Sequence, residues 1–287
     1  PNLNMPRKQV VVFALYTQQN AVLKLTAQLF PLKPGEARQV RLELKFPKED
    51  WKEVAQAEVL YPGWDAHFRI EEWDDSVDVQ YRVRHGKGAK FEGLIRKDPR
   101  NKEEIVVANL SCNSSRTTGP RKEIVDNLRK LNPDLLFFGG DQTYRHTEHT
   151  AGWIEFGLQY RDIIRDRPTV AIPDDHDVGH PNVWGENGKH SSIPGNADGG
   201  YKFPVDYVNL VQRQQTWSLP DPVDPDPVNR NIGVYFTRLT VGKVDFAILE
   251  DRKFKTGPAG KIPQMGPRPD HINDPSYDPS KIDLEGL

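Results

Sequence analysis

Polar and apolar residues alternate along the first third of the chain. Between residues 10 and 95 the apolar positions recur every second residue, most strictly in segments 40–46 and 77–83. A period of two indicates β-strands with one apolar face each, and turn pairs such as Pro34-Gly35 separate them. Because two such sheets must cover each other, this part predicts an immunoglobulin/fibronectin-like β-sandwich of roughly seven strands.

The pattern changes after the first hundred residues. Segments 105–110, 134–138 and 169–172 are apolar runs, which is typical of strands buried on both faces of an α/β sheet. Helical spacing between these runs predicts a βαβαβ order with parallel strands. Segments 234–239 and 244–249 predict a hairpin.

Each predicted helix lies between two of these strands. The first lies between Pro120 and Pro133, and the second covers about residues 151–165. Four apolar residues at helical spacing form the predicted buried stripe of the first helix: Ile124, Val125, Leu128 and Leu131.

Length and charge limit the class of protein. The chain has 287 residues, enough for about two domains. The charged segment 96–102 is the expected boundary between a β-sandwich domain (residues 1–97) and a second domain (residues 103–287). Lysine and arginine (39) nearly balance aspartate and glutamate (41), so the basic surface of a nucleic-acid-binding protein is missing. Mean hydropathy is −0.69 and no transmembrane segment is predicted, so we expect a soluble protein.

The single cysteine and the two ends add further expectations. Cys112 has no second cysteine with which to form an internal disulfide. The chain begins at Pro1 without a signal peptide, and it stops at Leu287 without a helix terminus or a polar tail. We therefore expect a fragment of a longer protein that is cut at both ends, with a second domain that is truncated at its C-terminal end.

Polar residues follow each of the three apolar runs and the hairpin. They are Cys112 with Asn113, Asp141 with Tyr144, the run Asp174-Asp175-His176-Asp177, and Glu250-Asp251-Arg252. Open α/β sheets bind their ligands at the carboxyl ends of the strands. Uncompensated carboxylates would repel each other at such an edge, so their joint occurrence predicts a metal site.

Each motif alone also has a plainer interpretation. Asp141 could be a helix N-cap, Cys112 a small buried hydrophobic residue, and Asp174-Asp175 a solvated loop. His146 and His149 are interpreted as a solvated helix start rather than as metal ligands. The acidic residues between 71 and 75 could bind calcium, but a solvated strand end is the favoured interpretation.

In this order the motifs resemble those of the PhoD-like alkaline phosphatases, which belong to the calcineurin-like metallophosphoesterase superfamily. The shared motifs are Ser111-Cys112-Asn113, Gly140-Asp141-Gln142-Thr143-Tyr144, Asp174-Asp175-His176-Asp177 and Leu249-Glu250-Asp251-Arg252. The resemblance covers residues 103–287, and the β-domain before them matches the usual N-terminal sandwich of the family. It implies an α/β metallophosphoesterase domain, with a β-sandwich core flanked by helices and a multinuclear metal centre.

The resemblance also implies roles for individual residues. The implied cofactors are iron(III) and calcium, or another divalent metal. The implied metal ligands are Cys112, Asp141, Tyr144, Asp175 and Asn182. His176 and Arg252 are the implied catalytic residues, and Asn113 and Arg252 the implied contacts to the substrate. A phenolate and carboxylates suit a hard trivalent ion, and an arginine can hold a phosphate through two parallel hydrogen bonds.

The implied reaction is phosphate-ester hydrolysis by in-line attack of a metal-bound hydroxide, without a phosphoserine intermediate. The family also has a later Gly-Asp-x-His-type element that contributes further metal ligands. No such element precedes Leu287, and His271 in its proline-rich loop is a poor substitute. We therefore expect that the fragment by itself could be inactive.

Three functional hypotheses stay open. The first is an exported metallophosphatase, periplasmic or secreted, that acts on phosphomonoesters or phosphodiesters. The second keeps the site but acts on phospholipids or polymeric diesters. The third is a noncatalytic extracellular binding module, or an inactive relative that lacks the C-terminal metal ligands. Loss of iron and activity in Cys112→Ser would support the first, whereas tolerance of that change would support the third. The oligomeric state is not specified by the sequence.

Overall fold

The protein consists mostly of β-structure, with three α-helices in the residues that the computed structural model describes. These residues are 5–114, 119–179, 185, 188–192 and 199–254. None of the helices within them is long and apolar enough to cross a membrane.

Seven strands form two antiparallel sheets in the first part of the chain. They are β1 (Val11–Gln19), β2 (Val22–Leu29), β3 (Gln39–Lys45), β4 (Lys52–Glu58), β5 (Asp65–Ile70), β6 (Val79–His85) and β7 (Ala89–Ile95). Their spatial orders are β1-β2-β5 and β4-β3-β6-β7. The apolar side chains of both sheets belong to one buried cluster. The predicted β-character is therefore confirmed, while the immunoglobulin/fibronectin-like topology stays a prediction.

Both faces of β2 are buried, although only one of them is apolar. Its alternate residues Lys24, Thr26 and Gln28 are buried as well. The helix α3 (Val205–Thr216) and the segment after it cover this face, where Gln214 Nε2 donates to Gln28 Oε1 at 3.0 Å. Lys24 Nζ forms an ion pair with Asp221 at 3.0 Å. The polar side chains can be buried here because this second layer supplies hydrogen-bond partners.

Three parallel strands follow in the order β10-β9-β8. They are β8 (Val107–Leu110), β9 (Leu135–Phe138) and β10 (Thr169–Ala171), connected by the helices α1 (Lys122–Leu131) and α2 (His149–Ile164). The βαβαβ order and the parallel pairing agree with the sequence prediction. All three strands therefore have their carboxyl ends at the same edge of the sheet.

The prediction that the first of these strands is buried on both faces is wrong. In the described part of the chain β8 is an edge strand, and its residues alternate between exposed and half-buried. The helix α1 beside it is also only partly covered: Val125 and Leu128 are buried, whereas Ile124 and Leu131 are 40% and 63% exposed. An edge position explains both differences, because β8 has a neighbouring strand on one side only.

A β-hairpin packs on one face of the parallel sheet. It consists of β11 (Phe236–Val241) and β12 (Val244–Leu249), close to the predicted segments. Leu239 and Ile248 of the hairpin share a buried cluster with Leu135 and Val170. The neighbouring residues of β9 and β10 belong to the cluster on the opposite face, since side chains alternate along a strand.

The two antiparallel sheets and the parallel sheet share a hydrophobic core. The ring of Phe13 in β1 packs edge-on against Trp153 in α2, with the ring centroids 5.5 Å apart. Gly157 allows this approach, because a Cβ at that position would lie 2.0 Å from the Phe13 ring. Buried residues of β1 and α2 belong to one cluster. The domain division into residues 1–97 and 103–287 stays a prediction.

Candidate metal centre

The loops after β8 and β9 are joined by their backbones. The N–H of Cys112 donates to the carbonyl of Gly140 at 3.1 Å, and the N–H of Asn113 donates to the carbonyl of Asp141 at 2.9 Å. The loop after β10 lies against them, since a Cβ on Gly140 would be 2.5 Å from the Cβ of Asp174. Only glycine permits this approach, so the three loops form one compact surface at the edge of the sheet.

Two of the candidate ligands have a left-handed backbone. Cys112 and Asp141 both have a φ of +58°, and Gly140, which precedes Asp141 in the loop after β9, has a φ of +109°. This conformation is unfavourable for residues other than glycine, and it persists where surrounding contacts fix it. The backbone hydrogen bonds between the two loops supply such contacts, and they direct both side chains to the same place.

Asp177 holds the second and third loops together. Its buried carboxylate accepts hydrogen bonds from the N–H groups of Asp141 at 2.7 Å, Asp174 at 3.0 Å and Thr143 at 3.1 Å. Burial raises the pKa of Asp177 to about 7. The sequence shows Asp177 only as the last residue of an acidic motif, and its positioning role was not predicted.

Asp141, Asp175 and His176 form the centre of the site. Their possible ligand atoms all lie within 4.8 Å of one another. The two carboxylates are only 6% and 7% exposed. Burial and the neighbouring charge of Asp175 raise the pKa of the Asp141 carboxyl above its ordinary value. A bound cation would compensate both charges, so this donor set fits a metal ion.

Cys112 and Tyr144 add a thiol and a phenol to this centre. The Sγ of Cys112 lies 3.7 Å from Asp141 Oδ2, and the Tyr144 hydroxyl donates to the same oxygen at 3.1 Å. Burial, together with hydrogen bonds to Cys112 and Asp141, raises the pKa of Tyr144. A cation would act in the opposite direction, because it stabilises the phenolate. Thiol, phenol and carboxyl groups can all bind a metal ion once deprotonated, so the residues fit a metal site, and iron(III) stays a prediction.

Arg252 reaches the site from the end of β12. Its Nε donates to Asp174 Oδ1 at 2.5 Å, and its Nη2 lies 3.4 Å from Asp174 Oδ2. Because Asp174 directly precedes Asp175 in the sequence, this ion pair holds the Arg252 guanidinium close to the candidate ligand Asp175. Neither the pair nor its orienting effect was predicted, because Asp174 and Arg252 are 78 positions apart. Substrate binding by Arg252 stays a prediction.

Asn113 lies beside the site, but its side chain contacts protein groups. Its Nδ2 donates to Gln159 Oε1 at 2.7 Å and to the carbonyl of Gln142 at 3.2 Å. Its Oδ1 accepts a hydrogen bond from Arg121 Nε at 3.0 Å. In this arrangement the amide of Asn113 fixes the loop after β8, and its contact with substrate stays a prediction.

The interpretation of His146 and His149 as a solvated helix start is wrong. His149 is the first residue of α2 but is only 1% exposed. His146 is half-buried, and its Nε2 lies 2.7 Å from Nδ1 of His176. The sequence contains no signal for this contact, because it joins two loops that follow different strands.

The structure thus brings most of the predicted site residues together. Those that meet are Cys112, Asp141, Tyr144, Asp175 and His176. Asn182 and His271 lie outside the described residues. The acidic residues between 71 and 75 lie on a strand end, where Glu71 and Asp75 form ion pairs with arginines, as the solvated interpretation expects.

Two solved phosphatases share this fold. PhoD superposes with a TM-score of 0.63 at 17% identity, over 92% of this chain and 56% of that chain. The purple acid phosphatase PPD1 from yellow lupin (Lupinus luteus) seeds superposes with a TM-score of 0.53 at 14% identity, over 84% of this chain and 44% of that chain. The chain spans about half the length of these two structures.

Comparison of the sequence with protein-family models finds no match, and comparison with curated proteins finds none either. At identities of 17% and 14% the likeness to the two phosphatases is one of fold. At the level of the fold, this likeness confirms the resemblance to PhoD-like phosphatases that the motif order predicts.

Proposed function

We propose that the protein is a metal-dependent phosphoesterase of the PhoD-like kind, which hydrolyses phosphate monoesters or diesters. The observation that carries the proposal is the meeting of two buried carboxylates, a thiol, a phenol and an imidazole at the strand ends. The fold likeness to two phosphatases supports the reaction class. The proposal includes an N-terminal sandwich of residues 1–97 and a metallophosphoesterase domain over residues 103–287.

The proposed cofactors are iron(III) and calcium, or another divalent metal. Cys112, Tyr144 and Asp141 would hold the iron, and Asp141 with Asp175 would hold the second metal, with Asn182 as a further ligand. Such a centre supplies Lewis acidity and an activated water for attack on phosphorus.

The other residues of the site would bind and protonate the substrate. His176, beside the two carboxylates, can donate a proton to the leaving-group oxygen. Arg252 can bind a phosphoryl oxygen, and Asp174 orients its guanidinium for this contact. A cavity of about 570 Å³ beside Cys112, with Arg121 and Tyr160 in its wall, offers room for the leaving group. The family resemblance also supports export to the periplasm or the cell exterior.

The metal content and the esterase activity of the purified protein test this function together. We expect iron by plasma mass spectrometry, and hydrolysis of p-nitrophenyl phosphate or bis(p-nitrophenyl) phosphate that a chelator abolishes. Cys112→Ser and Asp141→Asn should lose both iron and activity. Asp245→Asn, an exposed carboxylate on β12, is the matched control and should retain both.

A noncatalytic binding module is the second candidate function. It predicts a protein without transition metal whose stability is unaffected by Cys112→Ser. A folded wild-type protein that binds no transition metal would therefore overturn the phosphoesterase proposal. Activity toward the diester but not the monoester would instead favour phospholipids or polymeric diesters as the substrate.

A further inference from the structure

We propose that His146 is a positioning residue for His176: it fixes the imidazole ring so that Nε2 of His176 faces the substrate. The inference rests on the proposed phosphoesterase function. It gives a role to His146, which is outside the predicted set of metal ligands and catalytic residues.

A hydrogen bond joins the two histidine rings edge to edge, and the rings are nearly coplanar. His146 Nε2 lies 2.7 Å from His176 Nδ1, the ring centroids are 4.9 Å apart, and the ring planes differ by 22°. The ring of Tyr144 contacts His176 as well, with a centroid distance of 4.0 Å. His176 is thus held by the hydrogen bond to His146 and by the ring of Tyr144, which restricts rotation of its side chain.

The backbone of His146 is held in turn by α3. The Tyr207 hydroxyl donates to the carbonyl of His146 at 2.6 Å, and the ring of Tyr207 packs on Phe203 with centroids 4.6 Å apart. Gly179, with a φ of +108°, completes this packing, because a Cβ there would lie 3.1 Å from the His146 carbonyl and 2.3 Å from the Phe203 ring. His146 is therefore part of a fixed structure that extends from α3 to the site.

This geometry decides which nitrogen of His176 is available. The hydrogen bond to His146 engages Nδ1, so the ring nitrogen that can meet a leaving group is Nε2. Loss of the His146 side chain would allow the His176 ring to turn, and a displacement of about 1 Å at a reacting group can cost about 100-fold in rate.

The test compares two monoesters whose leaving groups differ in their need for a proton. The variants are His146→Ala, His146→Gln, which can restore a hydrogen bond to Nδ1, and His190→Ala as the exposed control. For His146→Ala we expect kcat to fall about 100-fold with phenyl phosphate but less than about 10-fold with p-nitrophenyl phosphate. We expect KM and iron content to be unchanged, and His146→Gln to recover most of kcat.

A double variant shows whether His146 acts through His176. His146→Ala combined with His176→Ala should be no slower than His176→Ala alone. Equal losses for both esters, a loss of iron in His146→Ala, or additive effects in the double variant would overturn the inference.

Failure of the proposed function gives a different result. In that case the wild-type protein hydrolyses neither ester, and nitrogen NMR of the His176 ring replaces the rate measurement. The inference then requires that His146→Ala shift the Nδ1 resonance of His176 while His190→Ala does not. An unchanged resonance would show that His146 does not fix the ring.

Discussion

The backbone N–H of Asp141 donates a 2.7 Å hydrogen bond to the carboxylate of Asp177, which lies 36 positions later in the chain. The same carboxylate accepts hydrogen bonds from Thr143 and Asp174, so one buried side chain joins the loops after β9 and β10. Asp177 contributes no atom to the cluster of candidate ligands. Its hydrogen bonds fix the backbone of the two loops that contain Asp141 and Asp175.

Replacement of Asp177 should therefore destabilise the fold and the metal site together. Asp177→Ala leaves three buried N–H donors without their acceptor, which should lower the free energy of unfolding by about 3–6 kcal/mol. Asp177→Asn keeps one acceptor oxygen and should cost less. Urea denaturation and iron content measure the two effects, with Asp245→Asn as the exposed control. Full stability in Asp177→Ala would contradict this role.

Gly157 should be intolerant of a side chain because α2 packs directly on β1. A Cβ at Gly157 would lie 2.0 Å from the Phe13 ring, so Gly157→Ala should lower the free energy of unfolding by about 1–3 kcal/mol. Leu158→Ala, at the exposed neighbouring position, should change it by less than about 0.5 kcal/mol. Phe13→Leu should relieve the clash, so the two changes must be non-additive in a double-variant cycle. Additive effects would contradict direct packing of these residues.

The sequence predicts those parts of the fold in which the pattern of apolar residues arises from the burial of a single strand. The strands β9 and β10 are buried on both faces, and their apolar runs show this directly. The polar motifs follow these strands immediately, so the meeting of Asp141 with Asp175 could be expected from the sequence. The helix α3 was not predicted, because its buried face includes Gln214 and Gln215.

The unpredicted parts of the site depend on contacts between distant loops. His146 and His176 meet only because the loop after β9 turns back toward the loop after β10. Asp174 pairs with Arg252 across 78 positions, so its task is not visible in the acidic motif itself. In both cases the residue type admits several partners, and the tertiary structure selects one.

Glu250 and Lys253 form a buried ion pair that flanks Arg252. Lys253 Nζ lies 2.9 Å from Glu250 Oε2 and donates to the carbonyl of Gly233 at 2.6 Å. Burial lowers the pKa of the Lys253 ammonium group. Lys253→Met would leave the Glu250 carboxylate buried without its partner, so we expect the free energy of unfolding to fall by about 3–5 kcal/mol.

The double variant Lys253→Met/Glu250→Gln should recover part of this loss, because it removes the unpaired charge. Urea denaturation of the two single variants and the double variant gives the coupling between them. The pair Arg238 and Asp245 on the hairpin, 2.8 Å apart but exposed, is the matched control and should show little coupling. A buried pair without coupling would contradict the prediction.

His149 should make the stability of the fold depend on pH. Its ring is buried beside Trp153 and Tyr207, and burial lowers the pKa of His149 to about 3. An unfolded histidine has a pKa of about 6.5, so between these values the unfolded chain binds a proton that the folded chain does not. The contribution of neutral His149 to stability is complete above pH 6.5 and is lost as the pH falls toward 3.

We expect the wild type to lose up to about 1.4 kcal/mol per pH unit between pH 5.5 and 4 relative to His149→Phe. Urea denaturation across this range measures the difference, and the exposed His190→Phe should instead run parallel to the wild type. Parallel curves for wild type and His149→Phe would show that His149 accepts its proton in the folded state.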